Sequence, residues 1–175
     1  MRNRDEVRRT VEEIEYLLAM RRQQEADRPH LVVLHGYHHP ETVCLHGETV
    51  EQAYLSFAEQ EFPLHLSLTG LVIVDCLARY RQTPLSAVHM ERILASDPFY
   101  RRLGANAPSG HPAAVRPRRD SIKVYIRRIR VQLGKTLGEA GLNVKPERIL
   151  VSETTDSNVV VYRLKASVEF RHRQY

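Results

Sequence analysis

Cysteine is scarce: the 175 residues hold two, Cys44 and Cys76, and no CxxC spacing that would suggest a zinc ribbon or a redox pair. A reduced, cytoplasmic setting is expected. No apolar run approaches the roughly 18 residues of a membrane span. The opening stretch MRNRDEVRRTVEEIEYLL lacks the apolar centre of a signal peptide. There is no GxSxG elbow, no Walker loop and no HExxH. The segment SGHPAA, with Ser109 and His111, has the composition of a loop and not of a nucleophile elbow. Neither an enzyme nor a cofactor is expected. No internal repeat and no low-complexity segment occurs. With 42% hydrophobic and 27% charged residues, the chain has the make-up of one globular domain, not of a disordered one.

Acidic residues are missing from one place in particular. Residues 116–135 carry Arg116, Arg118, Arg119, Lys123, Arg127, Arg128, Arg130 and Lys135 against the single acid Asp120. The other 18 basic residues are outnumbered by 20 acidic ones, so the net charge of +5 comes from a patch and not from a general bias. Such a patch suits a polyanion. A merely solvated helix face mixes signs, as residues 5–15 do.

Periodicity gives the order of elements. Residues 3–24 read as a helix, with Asn3 and Glu6 as a capping pair and a narrow apolar stripe of Val7, Val11, Ile14 and Leu18. That stripe suits packing on the domain or a short coiled-coil seam with a second copy. Short β-rich runs follow at 31–35, 42–46 and 62–66, and 48–60 is ambiguous, with a short helix as one reading. Two helices come next. One is capped by Ser67, with Leu68, Leu71, Val72, Val74, Leu77 and Ala78 on its apolar face. The other is capped by Ser86, with Val88, Ile93 and Leu94 as core. Four prolines and two glycines after Asp97 predict a long loop over 98–118. Asp120 or Ser121 then caps a basic helix over 120–134. Its Ile122, Ile126, Ile129 and Leu133 face the core, while Asp120, Val124, Arg127, Arg128 and Val131 face outward. Runs at 148–152 and 159–165, around the polar tip ETTDSN, read as a β-hairpin.

Helix, turn, helix, loop, basic helix and hairpin is the plan of a winged helix-turn-helix, in which one helix enters the major groove and the hairpin reaches sideways. A groove offers phosphates, purine acceptors and thymine methyl groups, which arginine and an exposed valine can read. SIKVYIRRIR (121–130) resembles the recognition helix of OmpR/PhoB-type DNA-binding domains, which typically read T-V-D-V-H-I-R-R-L-R. VVVYRL (159–164) resembles that family's closing G-x-G-Y-R-L strand. The strands before LSLTGLVIVDCLAR resemble its N-terminal sheet and the L-T-x-x-E-x-x-L-L helix. The likeness covers roughly 30–165, and only the recognition helix is specific.

The resemblance implies an α+β fold: an N-terminal antiparallel platform sheet, a three-helix core and a C-terminal hairpin wing, here with an extra N-terminal helix. It implies promoter binding by tandem or paired copies, and contact with RNA polymerase through the loop before the recognition helix. The sequence departs from the family in its longer 98–118 loop, its expanded 134–148 segment and its lack of wing glycines. Only about 30 residues precede the platform, too few for a receiver domain. The expected layout is therefore 1–28 as a dimerising helix, 29–167 as the DNA-binding domain and 168–175 as a tail.

By position, Ser121, Lys123, Val124, Arg127 and Arg128 are expected at base edges, and Arg118, Arg119 and Arg130 at phosphates. Thr154, Thr155, Ser157 and Asn158 of the wing are expected at the backbone, and Arg163 in the minor groove. The expected function is a double-stranded-DNA-binding transcription regulator, nucleoid-associated and homodimeric. The alternatives are a winged-helix protein-interaction module and a nonspecific architectural DNA binder. RNA is a poorer match, because Tyr125 is the only aromatic near the basic face. The cluster His35, His38, His39, Cys44 and His46 has residue types that zinc uses but matches no known spacing. It is open to two readings, a metal site or a hairpin rim of surface histidines. Asp75 and Cys76, inside an apolar helical run, are expected to pack or cap and not to react.

Overall fold

The structure is a computed structural model that describes residues 2–26, 28–38, 47–105 and 116–172. Among these residues it is a mixed α+β protein with five helices, one four-stranded sheet and one three-stranded sheet.

The first sheet is built from β1 (His30–His38), β2 (Gly47–Phe57) and β3 (Gln60–Pro63), all antiparallel. The ambiguous 48–60 segment is thus mostly strand. Val50, Ala53 and Leu55 are buried in it. The two residues between β2 and β3, Ala58 and Glu59, both have positive φ, 48° and 61°. That backbone matches the right-handed twist of a two-residue hairpin. Neither residue advertises such a turn in sequence, so the hairpin is invisible there. The fourth strand corrects the expected tail: β7 (Val168–His172) lies parallel to β1, giving the order β3-β2-β1-β7. Its Arg171 pairs with Glu169 at 2.7 Å and also with Glu61 on β3, linking the outer strands across the sheet. The Arg171 guanidinium holds the Glu169 carboxyl below the usual carboxylate range.

Against this sheet lies α2 (Leu68–Arg79), buried from Thr69 to Ala78. Ser67 caps it, accepting from the Gly70 N–H at 3.3 Å. A short strand β4 (Leu85–Ser86) leads into α3 (Ala87–Ser96), capped by Ser86 through the His89 N–H at 3.2 Å. Both caps are as the sequence indicates. Within α3, Met90 and Leu94 are buried, whereas Val88, an expected core residue, is 36% exposed. The expected loop after Asp97 begins instead with a helix, α4 (Pro98–Ala105). Asp97 accepts from the Phe99 N–H at 2.8 Å, and Phe99, Tyr100 and Leu103 are buried. Proline is well placed at a first helical position, so Pro98 starts a helix where the sequence predicts a loop.

The long helix α5 (Arg119–Glu139) runs past the expected end at 134, because Thr136 and Leu137 are also buried. Gly134 permits this packing: a Cβ there would come within 3.1 Å of Pro146 in the 3-10 turn Pro146–Arg148. The glycines that weaken the helical pattern in sequence are overridden by tertiary contact. Strands β5 (Leu150–Thr154) and β6 (Val160–Leu164) form the expected hairpin, and β6 also pairs with β4, giving the sheet order β4-β6-β5. One apolar core joins both sheets to α2, α3, α4 and α5. Outside it stands α1 (Arg2–Ala26), of which every described side chain, from Val7 to Arg21, is exposed. No helix among the described residues is long and apolar enough to cross a membrane.

Candidate nucleic-acid interface

Burial of Ile122, Ile126, Ile129 and Leu133 fixes the rotation of α5, as the sequence pattern requires. The opposite face therefore points outward. Asp120, Ser121, Lys123, Val124, Arg127, Arg128 and Val131 are all exposed, with Val124 at 49% and Val131 at 54%. Arg118, Arg119, Lys123 and Arg127 form no ion pair with another described residue. Arg128 lies over the Tyr125 ring, 5.2 Å from its centroid. The result is a cationic face whose charges have few partners within the protein, with bare methyl groups set between them.

The helix start differs from expectation. Arg118 occupies the cap position and gives no side-chain cap, so neither Asp120 nor Ser121 serves. Glu91 of α3 takes that role, accepting from the Arg119 N–H at 3.3 Å. Asp120 falls in the first turn, where its charge complements the helix dipole.

Two expected contact residues are engaged elsewhere. Arg130 is half-buried and donates to the Leu150 carbonyl from Nε at 3.1 Å and from Nη2 at 2.9 Å, and from Nη2 to Ser152 Oγ at 2.9 Å. It binds the helix to the hairpin, because from the flank of the helical wheel its guanidinium reaches β5. Arg163 is half-buried, and its Nη2 donates to Glu153 Oε1 at 3.3 Å on the same face of the hairpin, in place of reaching beyond it.

At the hairpin tip, Thr154, Thr155, Ser157 and Asn158 are exposed. Thr155 builds the turn: its carbonyl accepts from the Asn158 N–H at 2.9 Å and its hydroxyl from the Val159 N–H at 3.2 Å. Asn158 has φ 58°, so it supplies the left-handed conformation that glycine usually provides. A groove between α3, α5 and the hairpin is lined by Val88, Arg119, Lys123, Asn158, Val159 and Val160. The three valines are exposed. Sequence reading missed them because strand and helix periodicity assigned two to the hairpin and one to the core.

A second cluster is buried. Asp75 is fully buried, and its Oδ2 accepts from Tyr100 at 2.6 Å and from Arg79 Nε at 2.8 Å. His35 Nε2 lies 2.7 Å from its Oδ1. Phe99, Phe170 and His172 ring His35, and the Arg79 guanidinium sits 4.0 Å above Phe99. This network ties β1, α2, α4 and β7 together. Burial and the Asp75 charge push the Tyr100 hydroxyl far above its usual range. Burial, with Asp75 beside it, pushes the Cys76 thiol up to about 12, so Cys76 is no nucleophile. His35 is 1% exposed, which removes it from a rim of surface histidines. The side chain of His38 and the whole of His39, Cys44 and His46 lie outside the described residues. Among the described residues, no group of three or more His, Cys, Asp or Glu could hold a metal ion.

No model of a known protein family, no curated protein and no solved structure matches this chain.

Proposed function

We propose that residues 29–172 are a winged helix that binds double-stranded DNA sequence-specifically and regulates transcription. One observation carries the reading: the outward face of α5 presents Lys123, Arg127 and Arg128 around exposed Val124 and Val131, and the first two form no ion pair with another described residue. In the major groove, Arg127 and Arg128 meet guanine acceptors, and each bidentate contact contributes about 1–3 kcal/mol of discrimination. Val124 packs on a thymine methyl group. Arg118 and Arg119, at the helix N-terminus, hold phosphates. Ser157 and Asn158 at the wing tip lie over the neighbouring backbone. Residues 1–28 pair two copies, so the protein reads two half-sites.

The test is selection of random-sequence duplexes by the purified protein at roughly 150 mM salt. A repeated half-site is the expected product. Arg127→Ala with Arg128→Ala abolishes enrichment and leaves the fold intact. Retention without a motif makes the protein an architectural binder. No retention overturns the DNA reading in favour of a protein-interaction module.

A further inference from the structure

Among the described residues, the large apolar side chains of α1 from Val7 to Met20 are exposed. Val7, Val11, Ile14 and Leu18 are 59%, 47%, 50% and 48% exposed, and Leu17 beside them is 58% exposed. The spacing of four, three and four between the first four is that of alternating seam positions in a two-stranded coiled coil.

The flanking charges decide which way a second helix runs. In a parallel pair, Arg8 would face Asn3 of the second copy and Glu15 would face Thr10, so neither charge would meet its opposite. In an antiparallel pair, Val7 meets Leu18, Val11 meets Ile14, and Arg8 faces Glu15 twice by symmetry. Arg8 and Glu15 are both exposed, and among the described residues Arg8 is engaged with the solvent-facing Glu12 one turn on, at 3.1 Å. Its guanidinium has donors left for a second carboxylate.

We infer that α1 pairs with α1 of a second copy of this chain in antiparallel orientation, through Val7, Val11, Ile14 and Leu18, with Arg8 and Glu15 as reciprocal ion pairs. The choice of a second copy rests on the dimeric regulator reading above, and the orientation rests on the charge pattern alone. The dyad falls between residues 12 and 13. At a rise of about 1.5 Å per residue, the two Ala26 ends lie about 20 Å to either side, or about 40 Å apart. A parallel pair would bring both ends together.

The experiment is sedimentation equilibrium on the full chain without DNA, comparing Arg8→Glu, Glu15→Arg and the double swap. Each single swap replaces two attractions with two repulsions and weakens dimerisation about tenfold. The double swap restores the dimer, although the carboxylate that Arg8→Glu introduces sits one turn from Glu12 within the helix. In a parallel dimer the double swap gains nothing. Single swaps without effect, a double swap without recovery, or a wild-type protein that stays monomeric each overturn the inference. The assay contains no DNA, so a failure to bind duplexes leaves its outcome unchanged.

Discussion

Arg130 holds the Leu150 carbonyl with two nitrogens, at 3.1 and 2.9 Å, tying the cationic helix to the hairpin. Leu150 is fully buried. Arg130→Ala therefore leaves a buried acceptor unpaired and costs about 1–3 kcal/mol, read as a lower urea midpoint. Arg130→Lys does not rescue it, because an ammonium lacks the fork. The salt dependence of DNA binding keeps its slope in Arg130→Ala. Removing Arg119, which the proposed reading puts at a phosphate, lowers the slope by about one unit.

The Tyr100 hydroxyl donates to buried Asp75 at 2.6 Å. Tyr100→Phe takes one of the donors from a carboxylate that cannot reach water, and destabilises the fold by about 1–3 kcal/mol. The raised Tyr100 ionisation adds a signature at high pH. The unfolded tyrosine ionises near pH 10, while the folded one stays neutral, so wild-type stability falls as pH rises above about 10. Denaturation curves across that range show a shallower fall for Tyr100→Phe.

Helices α2, α3 and α5, and the caps of the first two, were legible in the sequence. Ser67 and Ser86 cap as read, and the four apolar positions from Ile122 to Leu133 are buried together. Those signals are local, and burial enforces them. Long-range pairing was not legible. Nothing near residue 168 announces a strand, because its partner β1 lies more than a hundred residues away and the pairing is parallel. The Asp75 network was hidden for the same reason: His35, Asp75 and Tyr100 meet only after β1, α2 and α4 pack. For the candidate interface, helical rotation correctly placed Val124, Arg127 and Arg128 outward. It could not reveal that Arg130 and Arg163 have acceptors within the protein, which depends on where β5 passes.

Val124 is 49% exposed at the centre of the cationic face. If it reads a thymine methyl group, Val124→Ser changes preference more than strength. The enriched duplex loses about 1 kcal/mol, a duplex with cytosine at the same position changes little, and stability stays within about 0.5 kcal/mol. Fluorescence anisotropy on the paired duplexes measures the difference. An equal loss on both would assign Val124 to general packing against the groove.

Cys76 lies on α2, fully buried beside Asp75. Leaving water and facing a carboxylate both disfavour a thiolate, and its ionisation is pushed from the ordinary 9.0 up to about 12. Two consequences follow with defined signs. First, a thiol reagent acts on the thiolate, so at about pH 8.5 Cys76 reacts only when the chain opens. In a Cys44→Ser background the labelling rate then tracks global unfolding and accelerates with urea. Second, between pH 9.0 and about 12 the unfolded thiol is ionised while the folded one is not. The unfolded state binds fewer protons, so stability falls as pH rises through that window. Cys76→Ala removes this component and flattens the alkaline limb, at a cost in stability from the smaller buried side chain. Rapid labelling of the folded protein at about pH 8.5 would show that α2 opens locally, independently of the core it anchors.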